Sequence, residues 1–146
     1  MAITSAICNT FKTEILKAEH NFTATTGNTF NLALYTSSAT LGASTTAYAS
    51  TNEITNTSGT AYSAKGKALT SVTPTLDSST AVCDFADVSW TSASFTANGC
   101  LIFNDSHSTD AAVCAVAFGG DKTVSSGTFT VQFPAAAATT AIVRIA

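Results

Sequence analysis

The sequence predicts an all-β protein: an antiparallel, jelly-roll-like β-sandwich over residues 23–146, preceded by one N-terminal α-helix or arm within residues 1–22. Three observations carry that prediction. "TFNLALYT" alternates, with Phe30, Leu32 and Leu34 on one side of an extended segment and Asn31, Ala33 and Tyr35 on the other. "GTFTVQF" alternates more cleanly, setting Phe129, Val131 and Phe133 against Thr128, Thr130 and Gln132. Turn signals at Gly27, Gly42, Gly59, Asn98-Gly99, Gly119-Gly120 and Ser126-Gly127 recur at the short spacing of a multi-stranded antiparallel fold.

Composition sets the frame. The 146 residues make one domain, and at that size folding buries about 70% of the surface the unfolded chain exposes. Charged residues make up 10% of the chain, against about 25% in ordinary soluble domains. Thr, Ser and Ala fill the deficit. Thr suits strands because its β-branch packs on a pleated surface. A weakly charged surface of small residues fits a protein packed against neighbours better than a solitary enzyme, which carries charge to stay dispersed.

The first element is the helix. Ile3, Ile7, Phe11 and Ile15 recur every four residues and draw one apolar stripe, with Lys12, Glu14, Lys17 and Glu19 mostly off it. The pattern predicts a helix within 3–20, capped by Thr4 or Ser5. Two readings of the stripe stand: packing on the chain's own sheet, or docking into a partner subunit. The four stripe residues are therefore candidate partner contacts.

After the strand at 30–35 comes a Ser/Thr/Ala/Gly stretch over 36–65. A structureless loop of that length is uncommon, so it is expected to be an arm, lid or extended contact segment anchored by Tyr48, Ile54 and Tyr62. The competing reading is a pair of weak edge strands. "VCDFADVSW" changes phase, and a one-residue bulge near Phe85-Ala86 would bring Cys83, Phe85, Ala86, Val88 and Trp90 to one side. Further strands are predicted around 67–73, 93–97, 99–104, 111–118 and 141–145.

The polar run Asn104-Asp105-Ser106-His107-Ser108-Thr109-Asp110 lies between the apolar "CLIF" and "AVCAVAF". A Ser-His-Asp set needs side chains converging from separate segments, whereas Ser106 and His107 are neighbours that point apart on extended chain. A metal would need further ligands, and His20 is distant in sequence. Asn, Asp and Ser hydrogen-bond their own turns, so this run is read as the turn of a buried hairpin. Asp84 and Asp87 fall on opposite strand faces and read as surface residues. "NFT", "NTS" and "NDS" match the glycosylation sequon, a pattern that a Ser/Thr-rich chain produces by chance. Trp90 with Tyr48 and Tyr62 offers a sugar-stacking platform, set against a core role for Trp90. No catalytic, cofactor-binding or metal-ligating residues are assigned, and no enzyme is expected.

Partners are bounded as well. Net charge is −3, and the six Lys and Arg residues are scattered, so no basic stripe meets nucleic acid. No apolar run reaches a membrane span, and the N-terminus lacks the pattern of a secretory signal. Cytosolic synthesis leaves Cys8, Cys83, Cys100 and Cys114 as thiols, in no metal or redox spacing. Cys100 and Cys114, on strands joined by the polar turn, are expected near each other but reduced.

"NTFNLALYTSSATLGASTTAYASTNEI", "GKALTSVTPT", "DFADVSWTSASFTANGCLIFN" and "FPAAAATTAIVRIA" together resemble a family of small Thr/Ser/Ala-rich virion proteins of tailed bacteriophages. The likeness covers nearly the whole chain. It implies a virion component assembled in the bacterial cytoplasm: a capsid cement or decoration protein partnered by the major capsid protein and by copies of itself, as a trimer. The alternative it leaves open is a tail-associated or fibre-linked protein with a carbohydrate-binding surface for a host glycan. The family brings no catalytic residues. Two departures stand out. Glu53-Ile54 is followed by a looser "TNTSGTAY", and Cys83, Cys100 and Cys114 replace other small or apolar residues.

Overall fold

One long hairpin organises the protein. The structure, a computed structural model, describes residues 2–55 and 59–146. Strand β6 (Val88–Asn104) runs antiparallel to β7 (Ala111–Val131), from Val88↔Val131 to Asn104↔Ala111. The polar run closes the hairpin as expected.

On the other side of β6 lies β2 (Phe30–Tyr35), in register from Phe30↔Asn104 to Tyr35↔Gly99. Two short strands, β1 (Ala6–Ile7) against β7 and β3 (Lys67–Ala68) against β2, complete a five-stranded sheet ordered β1-β7-β6-β2-β3. A second sheet, ordered β4-β5-β8, is built from β4 (Ser71–Asp77), β5 (Thr80–Phe85) and β8 (Val143–Ile145). The result is mostly β, with two antiparallel sheets in a sandwich-like arrangement and one short N-terminal helix.

Where they run side by side, β2, residues 100–104 of β6 and residues 111–115 of β7 are buried on both faces, which explains their unbroken apolar runs. Phe30 meets Phe85 of the second sheet at 6.0 Å and stacks on Phe22 at 4.2 Å. That face, with Leu32, Leu34, Cys100 and Ile102, forms the core between the sheets. The opposite face is covered by the 36–55 segment, where Tyr48 stacks on Phe103 at 4.8 Å and Tyr35 Oη donates to the Ala49 carbonyl. Single bridges Tyr35↔Glu53 and Ala47↔Ala111 pin the segment at both margins. It is neither a free arm nor a hairpin of edge strands, but a covering layer without regular strands. Residues 56–58, which include the "NTS" sequon, lie outside the described residues.

Several local expectations are corrected. The helix α1 spans only Asn9–Leu16, and its N-cap is Cys8, with no side-chain cap bond. Residues before it are drawn into strand pairing: Ile3 bridges Leu41, and Cys8 N–H donates to Val113 O. Ser5 Oγ accepts from Ala117 N–H instead of capping. A four-residue spacing also keeps side chains on one face of extended chain, so the stripe suits strand as well as helix. The N-terminal segment is thereby built into the sandwich.

"VCDFADVSW" is not one bulged strand. β5 ends at Phe85 and β6 starts at Val88 in the other sheet, so the phase change marks the corner between sheets, with Ala86 exposed. Asn98-Gly99 is no turn either. A Cβ on Gly99 would lie 2.6 Å from Val116 O and 2.8 Å from Ile3 Cγ2, so this glycine admits close backbone approach within β6. At Gly119-Gly120, both of positive φ, β7 does leave its register, between Ala97↔Lys122 and Gly99↔Ala117, yet it stays one strand.

Candidate contact surface

The seven candidate contacts separate into interior and boundary positions. Ile3, Phe11, Ile54 and Tyr62 are buried in the chain's own core, which corrects their assignment as surface contacts. Ile7, Ile15 and Tyr48 are half-buried and packed against that core. The long segment turns inward because its anchors find partners there. Glu53, itself buried, accepts from Tyr48 Oη at 2.5 Å and from Tyr62 Oη at 2.7 Å, and Tyr62 Oη accepts from Leu34 N–H at 2.8 Å. Burial and the bond to Glu53 push the Tyr48 phenol up to about 12 and raise the Tyr62 phenol as well.

Trp90 is interior, stacked at 5.9 Å on Tyr62, so the two do not make a surface platform for sugar. Lys67 Nζ lies over the Trp90 ring at 5.6 Å and donates to Ser89 O. All four cysteines are free and buried. Cys100 pairs with Val116 and Ile102 with Cys114, so the two thiols are diagonal neighbours rather than directly opposed. Burial raises their thiols, to about 11 for Cys8 and about 12 for Cys83 and Cys100.

The polar turn does more than close a hairpin. Asn104, buried in the core, accepts from Ser106 N–H through Oδ1 and offers Nδ2 to the Glu19 carbonyl, Asn28 Oδ1 and His20 Nδ1. The two backbone partners fix the amide's orientation, so His20 Nδ1 acts as acceptor and Nε2–H donates to Glu14 at 2.8 Å. His107 stacks beside His20 at 6.1 Å and reaches Glu19 at 3.3 Å. Lys65 Nζ sits between Asp105 and Asp110, at 2.8 and 2.9 Å, and hydrogen bonds to both carboxylates raise its pKa. Ser106 Oγ accepts from Thr29 N–H, not from a histidine. The arrangement ties three chain segments together and holds no Ser-His-Asp set. Among the described residues no group of three or more His, Cys, Asp or Glu is placed to hold a metal.

What sequence reasoning missed is an apolar strip at one end of the sandwich. Among the described residues four large apolar side chains are exposed, and three of them, Leu16 (88%), Leu76 (72%) and Ile145 (56%), gather there. Leu76↔Ala81 and Ala81↔Ile145 place Leu76 and Ile145 in one cross-strand row of the second sheet. A groove of about 310 Å³ separates β8 from α1, with Ile7, Ile15, Leu16, Val143 and Ile145 among its walls. The signal available in sequence was Leu16, a large apolar residue that lies off the Ile/Phe stripe. No family model, curated protein or solved structure matches the chain.

Proposed function

We propose that this chain is a structural protein of a tailed-bacteriophage particle, a capsid cement protein that binds and stabilises the shell as a homotrimer, without enzymatic activity. The observation that carries the reading is the exposed strip Leu16–Ile145–Leu76, because a run of large aliphatic side chains left in water is favoured only where a neighbour covers it. The low charge content supports it, since few charges must be desolvated when such a protein packs among subunits. The resemblance to small virion proteins points the same way.

Contacts are assigned to the strip rather than to the buried stripe residues. The test is binding of the purified protein to undecorated particles. Leu16→Asp with Ile145→Asp should abolish binding while the circular dichroism spectrum is retained, since both side chains are exposed. Undiminished binding by this variant would remove the strip from the contact. The tail-associated reading differs in copy number, which a particle preparation measures directly.

A further inference from the structure

We infer that the groove between α1 and β8 is a docking slot for an extended segment of another protein, one carrying large aliphatic side chains flanked by carboxylates. The inference rests on the reading of the protein as a contact component and names the chemistry of its partner. Three features of the groove carry it.

The first is that the sandwich is open here. β1 is the last strand of the five-stranded sheet and β8 the last strand of the three-stranded sheet, and both border the same groove. The outer edge of β8 has no strand partner among the described residues. A strand edge beside an apolar trough is completed by an extended chain, which satisfies the free backbone groups and seats alternate side chains in the trough. The trough supplies those seats: Ile15 and Leu16 on the helix side, Val143 and Ile145 on the strand side.

The second feature is the sign of the charges around it. Three of the chain's six Lys and Arg residues, Lys12, Lys17 and Arg144, lie on the two elements that wall the groove or immediately follow them. Lys12 meets only the Asn9 side-chain oxygen, and Arg144 only the Ala138 carbonyl; among the described residues neither meets a carboxylate. The carboxylates nearby are engaged elsewhere. Glu14 is turned onto His20 at 2.8 Å, and Asp77 accepts from Ala138 N–H at 2.7 Å. Lys17 reaches Glu19 only at 3.7 Å, and Glu19 also contacts His107. In a protein of net charge −3, the uncompensated charges at this one end are positive. They complement carboxylates on the incoming segment.

The third feature argues against a second copy as occupant. Symmetric antiparallel pairing through β8 about Arg144 would set that residue opposite itself, and like charges directly opposed are unfavourable.

The test uses the intact protein, uniformly labelled for amide NMR, and a blocked peptide of sequence Asp-Leu-Thr-Ile-Thr-Leu-Asp. Its counterpart with Lys for both Asp residues is the control. At low salt the acidic peptide should shift the amides of Leu16 and of residues 143–145, and should bind about tenfold more tightly than the control. The preference should vanish in Lys12→Glu with Arg144→Glu, both exposed positions. Absence of binding, equal affinity for the two peptides, or shifts confined to another surface would overturn the inference. Shifts at the same residues that grow with protein concentration and need no peptide would give the slot to a second copy and overturn it too. Binding of the charge variant to particles, measured in parallel, keeps the two proposals apart. Acid-selective peptide binding by a protein absent from virions would sink the particle role alone. A protein that decorates particles but ignores the peptide would sink the slot alone.

Discussion

The Tyr62 hydroxyl donates to Glu53 Oε1 at 2.7 Å, with both residues buried, and that same hydroxyl accepts the Leu34 N–H from β2. That phenol, together with the Ile54 N–H bond to Leu34 O and the Tyr35↔Glu53 bridge, fastens the long Ser/Thr-rich segment to the central sheet. Tyr62→Phe removes the donor to a buried carboxylate and the acceptor for a strand amide at once. It should destabilise the fold by about 1–3 kcal/mol, the range for leaving buried polar groups unsatisfied. Urea denaturation measures the loss; an unchanged midpoint would mean that backbone bonds and ring stacking hold the segment without the phenol.

Stability should fall in alkali before any tyrosine ionises in the unfolded chain. Burial raises the thiols of Cys8, Cys83 and Cys100 from 9.0 to about 11 or 12. A raised acid is neutral in the folded state where the unfolded state has already lost its proton. The stabilisation is therefore fully present below 9.0 and is lost as pH rises from there through the folded values. Denaturation midpoints compared at about pH 8 and about pH 9.5 should show the decrease, and Cys83→Ala should make it shallower. Equal midpoints would contradict burial of the thiols.

Alkylation without reductant should label four cysteines once the chain is unfolded and leave them protected while it is folded. The diagonal placement of Cys100 and Cys114 argues against a bridge between them. A peptide joining the two, found by mass spectrometry, would contradict that geometry.

Gly99→Ala should cost about 1–3 kcal/mol, the range for overpacking a filled core. The new methyl would meet Val116 O, a backbone atom that cannot turn aside, and the Ile3 side chain. Faster amide exchange at Leu41 and Thr4, whose N–H groups bond Ala2 O and Leu41 O, would show the N-terminal segment loosening with it.

Much of this architecture was legible in the alternation of residues 30–35 and 127–133 and in the apolar flanks of the polar run. Those patterns report how side chains meet a sheet, and no distant information alters them. The isoleucine stripe misled because a four-residue repeat is compatible with both periods. Pairing with residues distant in the chain settled it: Ile7 lies opposite Cys114 of β7, and Ile3 bridges Leu41. Glu53 gave no sign that it would accept two phenols, because its partners Tyr48 and Tyr62 become neighbours only when the segment folds back. The groove was invisible for the same reason: Leu16 and Ile145 lie at opposite ends of the sequence, and an unpaired strand edge is a property of the assembled sheets.

The most direct test of the proposed role is the stoichiometry of this protein in purified virions, read by gel densitometry against the major capsid protein. A cement protein should be present in a fixed ratio near one copy per capsid subunit. A few copies per particle would place it at the tail, and its absence from purified virions would contradict a structural role in the particle.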